Sequence, residues 1–168
     1  AILADIGLHV PDFRAPERTF QVLTQVAGRA GRGSRPGKVI IQTYVPDHFA
    51  LQAVAQGDYD EFYRNVITHR AVQGDPPIGR LIRLIFRHTD EGAARRESER
   101  MGVLLRKTAR QWGISHIDII GPAPSYPPRL RGIWRWHILL RGANPDLLLD
   151  KVPLPPNWVV DVDPVTTI

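Results

Sequence analysis

Gly74-Asp75-Pro76-Pro77 divides this chain. Two consecutive prolines after a Gly-Asp pair cannot continue a helix or enter a ladder as donors, so whatever precedes them must stop. Upstream, the patterning is helical with one short β-branched run. Downstream, the periodicity changes character. Arg80–His88 alternates, with Ile82, Leu84 and Phe86 on one side and Arg83 and Arg87 on the other, the signature of a strand. Residues 91–112 then repeat at helical spacing through Met101, Leu104, Leu105, Thr108 and Trp112. The charges on the remaining positions of this helix suit a solvated face. A short strand over 116–120, a Pro-rich loop GPAPSYPPRLRG, a strand over 133–141, a short helix over 144–151 and a last strand over 158–162 follow. The order β-α-β-β-α-β predicts a ferredoxin-like α+β domain over 76–168.

The first part reads differently. Pro16 and Glu17 suit the first turn of a helix. Phe20, Leu23, Ala27 and Ala30 then form an apolar stripe, while Gln25, Arg29 and Arg32 fall on a roughly opposite face. GSRPG breaks the chain, and KVIIQTYV reads as a strand. Asp47 is placed to cap a helix through Gln56. Asp58 with Glu61 makes a capping-box-like start for the next, which should bury Tyr59, Phe62, Val66 and Ile67. The expected division is 1–46, a helical connector over 47–75, and 76–168.

Composition narrows the function classes. No cysteine is present, which removes disulfides, thiolate metal sites and cysteine nucleophiles from this chain. The six histidines are scattered, so no metal is expected within it. No run of apolar residues is long enough to cross a bilayer as a helix, and AILADIGLHV has no basic leader. It also lacks an initiator Met, so the chain reads as part of something longer. The net charge of +5 comes mostly from arginine; Lys38, Lys107 and Lys151 are the lysines. That balance suits a polyanionic partner, though solubility alone would produce it too.

Two arginine-bearing stretches could carry chemistry. In QVAGRAGRG, Arg29 and Arg32 offer planar forks for phosphate oxygens, and Gly28 and Gly31 permit close backbone approach. An arginine beside a transferring phosphoryl group stabilises its charge. A basic turn closing a helix has the same spacing, and the pattern alone allows both. In PPRLRGIWRWHILLR, Arg129 and Arg131 sit in a Gly/Pro loop where DNA phosphate could reach them. Trp134 and Trp136 share a strand face with Ile138 and Leu140, which reads as core; stacking on bases is the other reading. Arg135 either meets DNA or pairs with Asp161 or Asp163. Trp112 and Trp158 lie on apolar stripes and read as core.

QVAGRAGR resembles motif VI of the superfamily 2 helicases, Q-x-x-G-R-x-G-R. With its flank ADIGLHVPDFRAPERTF and the tail blocks DPPIGRLIRL, GPAP, WRWHILL and WVVDVDP, the chain resembles the C-terminal part of the PriA family of replication-restart helicases over essentially its whole length. The resemblance implies that 1–46 closes a second RecA-like lobe, an α/β fragment. It implies that Arg29 and Arg32, supported by Gln25, Gly28 and Gly31, face ATP and Mg²⁺ bound by an upstream lobe, with Arg32 as the γ-phosphate finger. It implies a C-terminal domain that binds forked or single-stranded DNA junctions, for which Arg129, Arg131 and Arg135 are the candidates read above from the residues themselves. It also implies single-stranded-DNA-binding protein and other primosome proteins as partners, zinc bound upstream, and a cytoplasmic setting. Two departures stand out. Ile78 follows Pro77 where the family tends to have phenylalanine, and ANPDLLLDKV is short and poor in basic residues. The chain lacks a G-x-x-x-x-G-K-[ST] loop and a D-E-x-H box, so by this resemblance it would not hydrolyse ATP alone. The contrasting expectation is a stand-alone or ATPase-deficient nucleic-acid or protein adaptor.

Overall fold

The computed structural model describes residues 2–30 and 38–167, in two compact units, Ala1–His69 and Arg70–Ile168. The first holds β1 (Ile2–Leu3), α1 (Asp5–Leu8), α2 (Ala15–Ala30), β2 (Ile41–Gln42) and α3 (Phe49–Gln56); α4 (Tyr59–Gln73) runs through the division. Of the run KVIIQTYV only Ile41 and Gln42 form a strand, parallel to β1. The remainder is held by side chains instead. The buried Asp5 carboxylate accepts from Thr43 Oγ1 at 2.5 Å and from the Tyr44 N–H at 3.0 Å, and these bonds, the hydroxyl first, hold its pKa below the ordinary carboxylate value.

Helix α2 has Glu17 in its first turn and buries Thr19, Phe20 and Leu23. The apolar stripe then fades, for Ala27 is half-buried and Ala30 exposed. The Phe20 ring stacks on Phe62 at 4.0 Å, and Ala50, Ala53 and Val66 close the cluster. The cap of α3 is His48, not Asp47. Its Nδ1 accepts from the Ala50 N–H at 3.2 Å, which needs that nitrogen deprotonated. Burial first, then the charge of His69, lowers the His48 pKa and favours this state. Asp58 caps α4 as its sequence position suggests, accepting from the Glu61 N–H at 2.9 Å. Phe62 and Val66 are buried, but Tyr59, one turn earlier, is exposed.

The second unit contains β3 (Arg80–His88), α5 (Glu91–Gln111), β4 (Ile117–Leu130), β5 (Ile133–Gly142), α6 (Asp146–Leu149) and β6 (Trp158–Val162). The strands form one sheet in the order β4-β5-β3-β6, with every neighbouring pair antiparallel. On one face Ile82, Leu84 and Phe86 stand opposite Leu140, Ile138 and Trp136. Helix α5, capped by Asp90 accepting from the Ala93 N–H at 2.6 Å, lays Ala94, Met101 and Leu105 on that face. Met101 and Leu105, withdrawn from water, each contribute about 1.5–3 kcal/mol, and the Ala94 methyl less. Trp158 belongs to this core and its indole N–H donates to Glu97 at 3.2 Å.

The other side of β3 is not the plain basic face that alternation suggested. Leu81 and Ile85 are buried there, and Arg83 between them pairs with Asp161 at 2.8 Å. Strand β4 is the larger departure. Alternation predicted 116–120 and then a loop, but the strand continues through the prolines to Leu130, with register breaks between Ile120 and Ala123 and between Pro124 and Arg129. It lies at the sheet edge, where a proline whose N–H would face outward forfeits no ladder bond. Trp112 is also displaced from expectation. It follows the last helical turn of α5, is 56% exposed, and has the Lys151 ammonium 4.6 Å from its ring centre.

Candidate functional site

Gln25 and Arg29 lie one turn apart on α2 and are both exposed, as is Val22 on the same side. Burying Phe20 and Leu23 fixes the rotation of this helix, so the amide and guanidinium point away from the cluster. No described residue forms an ion pair with Arg29. A Cβ added at Gly28 would meet no described residue within 4 Å beside the two polar side chains. An apolar cleft of about 170 Å³ flanks this face, bounded by Leu3, Gly7, Thr19, Val22 and Leu23. Gly31 and Arg32, the remaining members of the pattern, lie outside the described residues.

The second candidate is the ribbon made by β4 and β5. Its two-residue turn is Arg131-Gly132, closed by the pair Leu130 and Ile133. Both turn residues have positive φ, 50° and 83°, as a type I′ hairpin requires. Arg131 therefore projects from the tip and is exposed, and Arg129 is exposed beside it with its guanidinium 5.5 Å from the Trp134 ring centre. Arg135 does not pair with Asp161 or Asp163. It donates to the Pro127 carbonyl at 2.6 Å, while Arg83 holds Asp161 and Arg80 lies 3.8 Å from Asp163. The half-buried Trp134 and Trp136 pack against the core cluster.

Between Asp118 and Asp146 the sequence contains no acidic residue, while Arg129, Arg131, Arg135 and Arg141 fall in that span. The ribbon's own charge is thus of one sign. His137 adds nothing to it. Burial first, then the charge of Arg83, pushes its pKa from 6.5 down to about 4, so the ring is neutral and shares a 3.2 Å hydrogen bond with Ser125 Oγ. Arg106 of α5 donates to the Gly121 carbonyl and fastens the helix to β4. Gly102 makes that approach possible, since a Cβ there would sit 3.2 Å from Pro122 Cδ.

The structure brings Arg129, Arg131 and Arg135 onto one ribbon and Gln25 and Arg29 onto one helix face. It also shows a residue that sequence reading passed over. Tyr126, assigned to a loop, stands 74% exposed on β4 next to the buried Ser125. The signal was the alternation of Ser125 and Tyr126, hidden because prolines at 122, 124, 127 and 128 suppress a strand assignment.

A four-stranded antiparallel sheet, one long helix on one face and an arginine-tipped hairpin define a mixed α/β domain. Residues 73–165 match the family described as the primosomal protein N C-terminal domain, and the chain belongs to that family. It is 38% identical over 138 residues to the replication restart protein PriA of Bacillus subtilis (strain 168), covering 82% of this chain and 17% of that protein. It is 36% identical over 174 residues to replication restart protein PriA of Synechocystis sp., covering 98% and 20%. To replication restart protein PriA of Treponema pallidum it is 38% identical over 174 residues, covering 98% and 26%. The chain thus spans about a sixth to a quarter of the length of these relatives.

Proposed function

We propose that this chain is the C-terminal portion of an ATP-dependent DNA helicase acting in replication restart, where a primosome is assembled at stalled forks. In this reading residues 1–46 close a RecA-like motor lobe. Gln25, Arg29 and Arg32, with Gly28 and Gly31, form its motif VI and reach ATP held with Mg²⁺ by an upstream lobe. The observation that carries the reading is the face of α2. Gln25 and Arg29 are exposed together while the opposite side of the helix buries Phe20 and Leu23. A guanidinium fork with no ion-pair partner among the described residues, and no described atom near a Cβ at Gly28, fits a phosphate group, which the nucleotide would supply. The chain carries no P-loop lysine, so the rest of that site, like the zinc-binding cysteines, would lie upstream.

The second unit is then a ferredoxin-like domain that binds DNA. Its βαββαβ element order and the sheet order β4-β5-β3-β6 support that class. Arg129 and Arg131 contact phosphate from the ribbon, while Arg135 acts by pinning Pro127. Forked DNA, single-stranded-DNA-binding protein and other primosome proteins are the partners of this reading, and the cytoplasm its setting. No described helix is long and apolar enough to cross a membrane.

Sequencing the DNA upstream of the Ala1 codon tests the motor reading. The expected result is an open reading frame with a P-loop lysine, a D-E-x-H box and cysteine pairs. A start codon close by, or an upstream lobe without the lysine, would overturn it in favour of an adaptor that keeps the motif without the ATPase.

A further inference from the structure

We infer that Tyr126 is a stacking platform for an unpaired base, making the β4–β5 ribbon a site for single-stranded nucleic acid. The inference rests on the DNA-binding reading above and specifies its ligand. Ser125 is 6% exposed and Tyr126 74%, so strand alternation turns the phenol ring outward. No ring-to-ring contact engages Tyr126 among the described residues, and its apolar faces are open to a ligand. Arg135 donates to the carbonyl of Pro127, the next residue, and ties that stretch to β5. The platform is therefore held by the sheet.

The backbone around Tyr126 argues against a protein strand as occupant. The ladder is interrupted between Pro124 and Arg129, and Pro124, Pro127 and Pro128 have no N–H to offer. An added β-strand would find few donors there. What the ribbon does present is an aromatic face and, three residues on, Arg129, followed by Arg131 at the tip. With no carboxylate between Asp118 and Asp146, this is charge complementarity for a phosphate backbone whose bases are free to stack. Duplex DNA hides its base faces and could use only the arginines. Trp134 and Trp136, the sequence's more obvious stacking candidates, are committed to the core, which leaves Tyr126 as the ribbon's exposed aromatic ring.

The test measures binding of the full 168-residue chain to a short labelled oligothymidylate and to an abasic strand of equal length, at matched salt. The expected result is that the wild type binds the base-bearing strand about tenfold or more tighter. Tyr126→Ala should remove that preference and leave abasic binding unchanged, while Tyr126→Phe keeps it. Tyr126 is exposed, so the variants should fold; circular dichroism checks this. Equal binding of both strands by the wild type, or a Tyr126→Ala variant that keeps the preference, overturns the stacking role while leaving DNA binding by the arginines intact. Failure to bind either strand at low salt would overturn the DNA-binding reading itself.

Discussion

Arg141 of β5 reaches back to Asp75, its Nη1 3.2 Å from Asp75 Oδ1, and so ties the Gly74–Gly79 turn to the sheet. The Asp75 side chain is 11% exposed, and its backbone carbonyl also accepts from the N–H groups of Ile78 and Gly79 at 3.1 Å each. The same guanidinium meets the exposed Asp118 at 3.0 Å. Removing one partner of a largely buried pair leaves the other charge uncompensated, whereas an exposed pair contributes little. Arg141→Ala should therefore destabilise the chain by about 3 kcal/mol and Asp118→Asn by under about 1 kcal/mol. Urea titrations of the two variants check the contrast.

Acid should weaken the fold through His137. Its pKa in the folded chain is depressed to about 4 from 6.5, so the unfolded chain binds the extra proton first as pH falls. The contribution is fully present above pH 6.5 and is lost between there and about pH 4. Asp5 and Glu97, whose pKa values are lowered, add a loss of the ordinary carboxylate kind at lower pH. A His137→Gln variant should show a flatter stability profile between pH 7 and 5 than the wild type, as read from urea midpoints at each pH.

Two glycines should respond oppositely to alanine. At Gly79 a Cβ would stand 2.1 Å from the Gly74 carbonyl oxygen and 2.9 Å from its carbon, a backbone clash that the turn cannot relieve by moving a side chain. Gly79→Ala should cost at least about 2 kcal/mol. At Gly28 space is open, so Gly28→Ala should stabilise α2 by about 0.5–1 kcal/mol. Thermal melts of both variants test the pair. If Gly28 serves close approach to a nucleotide, the same substitution should reduce ATP hydrolysis once the upstream lobe is attached.

Arg131 occupies a position its backbone would rather give to asparagine or glycine. With φ at 50° it holds the first place of a type I′ turn, where an ordinary side chain is strained. Arg131→Asn should raise stability by about 0.5–1 kcal/mol. On the proposed DNA-binding reading it should also weaken DNA binding and reduce the salt slope by about one, because that reading gives Arg131 one phosphate contact. Melting and salt-dependent binding measured on one preparation would show the opposed effects. A variant that gained stability with unchanged affinity would remove Arg131 from the interface.

Local pattern carried the sheet's centre. Ile82, Leu84 and Phe86 recur at every second position and β3 forms over Arg80–His88, because a strand packed against a helix directs every second side chain to the core, although Leu81 and Ile85 are buried on the other face as well. The 3.6-residue spacing through Met101 and Leu105 likewise marked α5, because a helix packed on a sheet buries one face. The edge was less legible. Prolines at 122, 124, 127 and 128 predict a loop wherever both sides of a strand need donors, and nothing local reveals that β4 has a neighbour on one side alone. Arg135 was equally ambiguous. Its alternation assigned a face, but whether Asp161, Asp163 or the Pro127 carbonyl lay within reach depended on the pairing of β5 with β4 and of β3 with both β5 and β6.

The sequence by itself determined the break at Gly74–Pro77, the order of strands and helices in the second unit, the all-arginine character of the ribbon and the family resemblance. Each is written in spacing or composition, and hydrophobic periodicity and turn chemistry act over a few residues. Tertiary structure decided which arginines hydrogen-bond within the domain and which stay exposed. Arg83 and Arg141 meet carboxylates and Arg135 a carbonyl, whereas Arg129 and Arg131 extend toward solvent. It also decided that Tyr126 faces outward while Trp134 and Trp136 face the core. Ion pairs and burial are set by groups brought together from distant positions, as Arg83 and Asp161 are across β3 and β6, and no local pattern encodes that distance.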